Sequence, residues 1–311
     1  MKISLTTILL AVCIPLAGCA GSNAGAADGS LHKHTITVDE RERFYLLYKP
    51  ERVVGDVAPL ILVFHGGGGT AKGISREVGR SLHKIADRDE FFVAYPDAVN
   101  KTWDFGAGEI SESLDERIDD RAYFAALIDE LTNTLPVDTD RIFATGISRG
   151  GQASYFVACV FPERIRAIAP VAMPMPKFML DLCPYSPGTG VAIFNGTDDP
   201  LVPYDGGQIK VGRRERGEVL STDDTVAFWL ERNHCESTPT NEAAIDPTGR
   251  SMRVYRSAWE KCEYDPVLLY RIEGGGHTWP SGTQYLPRFV IGRVNRDIDA
   301  AVEIWSFFSR F

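Results

Sequence analysis

The chain has 311 residues, with 42 acidic against 33 basic side chains and a formal net charge of −9 at neutral pH. This length suits one large α/β domain or two small ones. An acidic chain without a basic cluster argues against nucleic-acid binding, which depends on neutralising phosphates, and against electrostatic docking on anionic lipid.

The first residues indicate export. Lys2 precedes an apolar stretch, ISLTTILLAVCIPLA, that is typical of a signal peptide and too short for a dependable membrane span. Its ending, LAGC, resembles the bacterial lipobox, which implies a signal peptide over 1–18, cleavage before Cys19 and lipid on the Cys19 sulfur. An ordinary secretory signal is the alternative. The small, polar residues that follow predict a flexible tether over 19–31 and one domain over 32–311. We therefore expect a protein of the bacterial cell envelope, at the outer membrane or cell surface, that contacts the membrane only through its lipid anchor.

Four cysteines lie beyond the lipobox, namely Cys159, Cys183, Cys235 and Cys262. In an exported protein they predict two disulfides, with three possible connectivities. Pairing neighbours along the chain would close two loops of about 25 residues, each worth roughly 3–4 kcal/mol in the chain-entropy model. A zinc site is the competing interpretation, but no C-x-x-C or Cys/His cluster supports it.

Apolar runs predict six strands, in chain order PLILVFHG, FFVAYPDA, RIFATGIS, IRAIAPVA, VAIFNG and, more weakly, VLLYRIEGGG. Amphipathic patterns between and after them predict helices, including DDRAYFAALIDELTN, STDDTVAFWLER with its Ser-x-x-Asp capping pattern, and the C-terminal stretch. Strands that alternate with helices predict an α/β fold with a mostly parallel central sheet and helices on both faces. Ligands of such sheets bind at the carboxyl ends of the strands.

The stretch ATGISRGGQAS places Ser148 between a predicted strand and a predicted helix. Glycines two residues before and two after Ser148 would relieve the crowding where strand and helix meet, as in a nucleophile elbow. The serine would then project at a helix N-terminus, where the dipole favours negative charge and the Arg149 N–H could serve an oxyanion. The alternative is a flexible turn.

A serine hydroxyl needs a base. His277 follows the last predicted strand and three glycines, so we expect the base there. The base needs a carboxylate to fix its tautomer, and the stretch NGTDDPLVPYDGG offers Asp198, Asp199 and Asp205 after another strand. The order Ser, Asp, His is that of the α/β-hydrolases. Spacing alone does not separate Asp198 from Asp199.

The glycine-rich HGGGG turn, residues 65–69, follows the first predicted strand. Such a turn can supply a second N–H to an oxyanion, and we assign this role to Gly67. A loose loop is the alternative. A phosphate-binding loop is disfavoured because no Gly-Lys-Ser/Thr follows at the required spacing.

Several motifs in this order resemble the poly(3-hydroxybutyrate) depolymerase and feruloyl-esterase-like group of α/β-hydrolases, related to carbohydrate esterase family 1. They are FHGGGG, YPDA, IDDRAYFAALIDEL, VDTDRIFATGISRGG, NGTDDPLVPYDGG and GGGHTWP. The resemblance implies an α/β-hydrolase fold in which Asp199, the Asp of the G-x-x-D-P turn, is the acid, with Ser148 as nucleophile and His277 as base. The neighbouring cysteine pairs also fit the group's pattern. Arg149 departs from it, since relatives more often carry a small or amide residue there.

These features predict a lipid-anchored serine esterase that needs no metal or organic cofactor. Its ester substrates are expected to be hydroxyalkanoate oligomers or acyl- or feruloyl-decorated saccharides. Trp103 and Trp279 are candidate pocket walls or, equally, packing residues. The Arg149 side chain is expected to pair with Asp97 or Asp205, or to receive a substrate carboxylate. The alternatives are a catalytically silent binding lipoprotein and a peptidase.

Overall fold

A computed structural model describes residues 29–106, 118, 120–183, 188–245 and 252–311. Its strands are β1 (Ser30–Val38), β2 (Arg41–Lys49), β3 (Ala58–Phe64), β4 (Phe92–Pro96), β5 (Val137–Ile147), β6 (Ala167–Val171), β7 (Gly190–Gly196), β8 (Gly207–Val211), β9 (Arg214–Val219), β10 (Asn241–Ile245), β11 (Arg253–Trp259) and β12 (Val267–Glu273). Its α-helices are α1 (Ala71–Asp89), α2 (Asp120–Thr134), α3 (Arg149–Val160), α4 (Thr222–Arg232), α5 (Arg288–Ile291) and α6 (Ala300–Phe308).

Ten strands form one sheet in the order β1-β2-β4-β3-β5-β6-β7-β12-β11-β10. Six neighbouring strands at its centre are parallel to one another, namely β4, β3, β5, β6, β7 and β12. Two antiparallel strands flank them on each side. The central six are the strands that the apolar runs predict, and that prediction is confirmed.

The central strands are apolar because both of their faces are covered. Every residue of β3 and β7 is buried, as parallel strands between two helical layers require. Side chains of α2, α3 and α4 pack in the core on one face, and those of α1 and α6 in the core on the other. The α/β-hydrolase architecture predicted from the sequence is therefore confirmed.

Several antiparallel elements were not predicted. The strands β1 and β2 form a hairpin that joins the sheet edge, and β10 and β11 extend the opposite edge. The hairpin β8–β9 stands apart as a separate two-stranded sheet. Ser30 and Leu31, which were expected to belong to the tether, are the first residues of β1, so that boundary was wrong. The predicted signal peptide and Cys19 lie outside the described residues.

The four cysteines join as neighbours along the chain. Cys159, in α3, is bonded to Cys183, and Cys235 is bonded to Cys262. The first bridge fixes the C-terminal part of α3 to the segment that follows β6. The second links the residues after α4 to those before β12. Two disulfides are typical of proteins that fold outside the cytosol.

Candidate active site

Ser148 occupies a sharp turn between β5 and α3. Its backbone has φ 58° and ψ −122°, a positive φ that is uncommon for a residue with a side chain. A Cβ at Gly146 would lie 2.6 Å from the Gly150 carbonyl carbon, and one at Gly150 would overlap the Phe64 carbonyl oxygen. The two glycines therefore let strand and helix approach closely enough to hold Ser148 on this turn.

The N-terminus of α3 provides polar backbone groups beside this serine. Arg149 is the first helical residue, and the Ser148 carbonyl already accepts a hydrogen bond from the Gln152 N–H at 3.1 Å. The first N–H groups of a helix have no partner within the helix and carry part of its positive dipole. The Arg149 N–H lies in this first turn and follows Ser148 directly.

The HGGGG turn packs against this elbow. A Cβ at Gly66 would lie 3.4 Å from the Ser148 Cβ, and one at Gly67 would lie 3.9 Å from the Arg149 Cβ. Gly69 closes the turn by donating its N–H to the Gly66 carbonyl at 2.9 Å. The turn after β3 and the elbow after β5 therefore meet where adjacent parallel strands end.

His277 and Asp199 come together at the ends of β12 and β7. The Nδ1 of His277 lies 2.7 Å from Oδ2 of Asp199, and both side chains are buried. The other oxygen, Oδ1, accepts the N–H groups of Leu201 and Val202 at 2.8 and 2.9 Å. A carboxylate that accepts hydrogen bonds from the histidine ring and from both backbone N–H groups is held in one orientation. Nδ1 of His277 then carries the proton, and Nε2 is left as an acceptor.

The backbone of His277 is held independently of the carboxylate. Its N–H donates to the Ile291 carbonyl at 2.6 Å, and its own carbonyl accepts from the Tyr285 hydroxyl at 3.0 Å. A tyrosine hydroxyl, with an ordinary pKa of about 10, keeps its proton at neutral pH and is therefore the donor in this contact. The predicted histidine is thus fixed at both backbone and ring.

The neighbouring carboxylate, Asp198, does not face the histidine. It is exposed, and its Oδ1 lies 3.3 Å from the Thr197 hydroxyl. Geometry thus separates the two aspartates that spacing alone left equivalent.

Ser148, His277 and the HGGGG turn line one cavity of about 990 Å³. This volume is at the upper end of ordinary small-molecule sites. Its apolar lining includes Ile147, Met173, Leu201, Ile209 and Ile291. The hairpin β8–β9 supplies part of one wall, which the sequence did not indicate.

Comparison with known proteins identifies the family of the chain. No protein-family model matches the chain. NocK of Nocardia uniformis subsp. tsuyamanensis, assigned as an esterase, is 30% identical over 292 residues, covering 88% of this chain and 81% of NocK. Feruloyl esterase C of Emericella nidulans is 30% identical over 229 residues, covering 72% of each chain. The chain belongs to the feruloyl esterase family.

A solved structure supports the fold of this esterase. Acetyl xylan esterase from Aspergillus awamori superimposes with a TM-score of 0.57 at 16% identity, covering 82% of this chain and 96% of that one. At this identity the likeness shows the α/β-hydrolase fold alone. The family relationship with the curated esterases makes the protein a carboxylic ester hydrolase. Over the described ranges, no helix is both long and apolar enough to cross a membrane.

Neither tryptophan that was predicted as a possible pocket wall lines the cavity of the esterase. Trp103 is fully buried, lies edge-on to Phe64, and donates its ring N–H to the His65 carbonyl at 2.9 Å. Trp279 is 2% exposed and packs in the core beside α1 and α6. The pocket-wall assignment of both is wrong, because their indole rings are already covered by core side chains.

His65 has a structural role that the sequence analysis missed. The ring is fully buried, with Nδ1 2.8 Å from the Gly66 carbonyl and Nε2 accepting the Ala98 N–H at 3.1 Å. Burial lowers the pKa of His65, so the ring is neutral near pH 7. Nδ1 therefore donates and Nε2 accepts, which ties the glycine-rich turn of the esterase to the segment after β4. Its place at the start of HGGGG was the available signal.

The Arg149 side chain makes a contact that was not predicted. Its guanidinium donates from Nε and Nη2 to the Trp103 carbonyl, at 2.9 and 2.6 Å. Of the expected partners, Asp97 accepts the Ala71 N–H through Oδ1, and Asp205 is exposed.

Proposed function

We propose that the protein is a serine esterase that works through Ser148, His277 and Asp199. The observation that carries this proposal is the 2.7 Å contact between His277 Nδ1 and Asp199 Oδ2, with Ser148 and His277 on one cavity. With its proton held on Nδ1, His277 takes the Ser148 proton on Nε2 as the hydroxyl oxygen attacks the ester carbonyl. His277 then gives that proton to the leaving alkoxide, and water repeats both steps on the acyl-enzyme.

We propose that the N–H groups of Gly67 and Arg149 bind the oxyanion of each tetrahedral intermediate. The two residues face each other across the elbow, and Arg149 opens α3. Preorganised donors of this kind contribute most where negative charge develops, and loss of one typically costs about 3–4 kcal/mol of barrier. This predicts that disrupting the HGGGG turn lowers kcat nearly as much as replacing Ser148, His277 or Asp199.

For the substrate, we propose feruloyl- or other acyl-decorated saccharides, with hydroxyalkanoate oligomers as the second candidate. A feruloyl esterase is among the relatives, and the large cavity combines an apolar lining with the polar groups around Ser148. The apolar residues would receive the acyl or aromatic group, and the open remainder would receive the alcohol portion. This division fits a substrate larger than a simple alkyl ester.

Hydrolysis of a substrate panel tests this proposal. We expect turnover of p-nitrophenyl acetate and methyl ferulate and no turnover of peptide p-nitroanilides, and we expect Ser148→Ala to abolish the esterase signal. Turnover of the peptide anilides alone would favour a peptidase on the same fold. Activity on none of these esters, with a folded protein, would favour a silent binding lipoprotein.

We propose that the folded domain, which begins with β1, is exported and anchored through a lipid on Cys19. The LAGC sequence and the two disulfides support export. The wild type should partition into the detergent phase of a Triton X-114 extract, and Cys19→Ser should lose this property because the acylated thiol is removed. Equal partitioning of the two proteins would refute the anchor.

A further inference from the structure

The segment from residue 97 to residue 105, here called the brace, follows β4 and lies beside both candidate oxyanion donors. The Gly68 N–H donates to the Lys101 carbonyl at 2.8 Å, and the Trp103 ring N–H donates to the His65 carbonyl at 2.9 Å. The Ala98 N–H donates to the His65 ring. Three hydrogen bonds from different points along the brace therefore hold the HGGGG turn.

The brace is also held by the residue that opens α3. Nε and Nη2 of Arg149 both donate to the Trp103 carbonyl. Its Nη1 lies 3.4 Å from the Gln152 side-chain oxygen, and its guanidinium lies 5.2 Å from the centre of the Phe105 ring. A planar guanidinium can direct two N–H groups at one oxygen, which a lysine ammonium cannot do with the same geometry. The side chain thus joins the elbow to the brace.

The far side of the brace is anchored by buried charges. Arg43 donates to Asp120 at 2.6 Å and to the Asp97 carbonyl at 3.3 Å. Asp120 also accepts the Asp104 N–H at 2.8 Å. Because both ends of the brace are bonded to this pair, the brace would stay in place, and would not move together with the HGGGG turn, if the Arg149 contact were lost.

The middle of the brace adopts a strained backbone. Asn100 and Lys101 have φ of 50° and 62°, and consecutive left-handed residues with side chains persist only where their surroundings hold them. The Lys101 carbonyl, which receives the Gly68 N–H, belongs to this strained pair. The orientation of that carbonyl therefore depends on contacts that flank it, and the Arg149 contact at Trp103 is two residues away.

We propose that Arg149 is a positioning residue, whose guanidinium sets the distance between the two oxyanion donors by holding the brace against the elbow. The contact between this guanidinium and the Trp103 carbonyl is here called the clamp. This inference rests on the proposed serine esterase mechanism. One donor is the N–H of Arg149 itself, and the other is on the turn that the brace holds. The Arg149 side chain thus fixes the position of the HGGGG turn, whose Gly67 N–H is the second donor beside the Arg149 N–H. Donors must lie about 2.7–3.1 Å from the oxyanion, so a small shift of the turn weakens transition-state binding.

This role predicts a specific kinetic change in Arg149→Met, which keeps the amide and much of the side-chain length. We expect kcat on neutral p-nitrophenyl acetate to fall by about 10- to 100-fold with KM within about twofold, because only the transition state uses both donors. The kcat of Arg149→Lys should fall less, since the lysine ammonium group can still donate to the Trp103 carbonyl. The inhibition constant of an aryl trifluoromethyl ketone, which forms a tetrahedral adduct, should rise by the same factor as kcat/KM falls. Competitive inhibition by ferulate, a planar acid, should not change.

Arg166→Met is the matched control for a half-buried guanidinium. Arg166 also donates to a carbonyl, that of Gly188 at 3.1 Å, and lies over the Phe311 ring. It is in addition paired with Asp265, at 2.7 Å from Nη2 to Oδ1, and it precedes β6, at the amino-terminal end of the parallel strands and away from the site. We expect this variant to lose thermal stability and to keep its kcat. A kcat loss equal to that of Arg149→Met would show that the effect is general destabilisation and would overturn the positioning role.

Two further results would overturn the inference. An unchanged kcat in Arg149→Met would show that the turn holds its place without the clamp. A rise in KM confined to acidic esters would show that the guanidinium binds a substrate carboxylate instead. Ser148→Ala is assayed in parallel: if it stays active, the proposed mechanism fails, whereas if it is inactive beside a fully active Arg149→Met, only the clamp fails.

Discussion

Replacing Asp199 by asparagine tests the carboxylate that holds the candidate base. The asparagine can present either its amide nitrogen or its oxygen to His277. If the nitrogen faces the ring, Nδ1 must accept, the proton moves to Nε2, and Nε2 can no longer take a proton from Ser148. If the oxygen faces the ring, the NH2 group meets the N–H groups of Leu201 and Val202, so donors face donors and two buried hydrogen bonds are lost. The first arrangement is therefore favoured, and we expect kcat to fall on the order of 10⁴-fold, about 5 kcal/mol of barrier.

Asp198→Asn is the matched control, since the same change is made one residue away on an exposed side chain. Initial rates with p-nitrophenyl acetate and methyl ferulate give kcat for both variants, and circular dichroism with a thermal melt verifies folding. Asp198→Asn should keep wild-type kcat within about threefold. The reasoning is refuted if Asp199→Asn stays within tenfold of wild type, or if Asp198→Asn is the more damaged variant.

Three other predictions concern stability. Gly150→Ala should destabilise the fold by about 1–3 kcal/mol or prevent folding, because the added Cβ overlaps the Phe64 carbonyl oxygen; a melting temperature equal to that of wild type would contradict it. Replacing Cys159 and Cys183 together by alanine should lower the free energy of unfolding in guanidinium by roughly 3–4 kcal/mol, and a loss below about 1 kcal/mol would show that the loop closure matters little. Burial lowers the pKa of His83 to about 4, so the unfolded chain takes up a proton first as pH falls from 6.5, and up to about 3 kcal/mol of stability is lost between pH 6.5 and 4. His83→Gln should flatten that part of the stability profile, and an unchanged slope would argue against it.

The centre of the fold could be predicted because its strands are buried on both faces. A run such as that in β3 is apolar at every position, so it stands out from the surrounding sequence. The edge strand β1 is largely exposed and carries histidine, lysine and threonine, and β9 reads RERGEV. Such strands gain their stability from pairing with another strand, and the local sequence does not indicate which strand that is.

The candidate site could be predicted to the extent that chemistry fixes residue types at strand ends. Ser148, Asp199 and His277 follow three parallel strands in hydrolase order, and glycine marks the elbow. Trp103 shows the limit, since its position after a strand end fits a pocket wall as well as a core ring. Only the packing of α2 and β3 around it decides between the two. The clamp by Arg149 depends on a carbonyl 46 residues away and has no sequence signature.

The most direct test of the central claim is to map the covalent adduct of a fluorophosphonate probe on the folded protein. Intact mass and peptide sequencing should show one adduct, on Ser148, and none in Ser148→Ala. His277→Ala should label far more slowly, because the hydroxyl has lost its base. Wild-type protein that hydrolyses methyl ferulate while Ser148 stays unlabelled, or that carries the adduct on another residue, would contradict the assignment of Ser148 as the nucleophile.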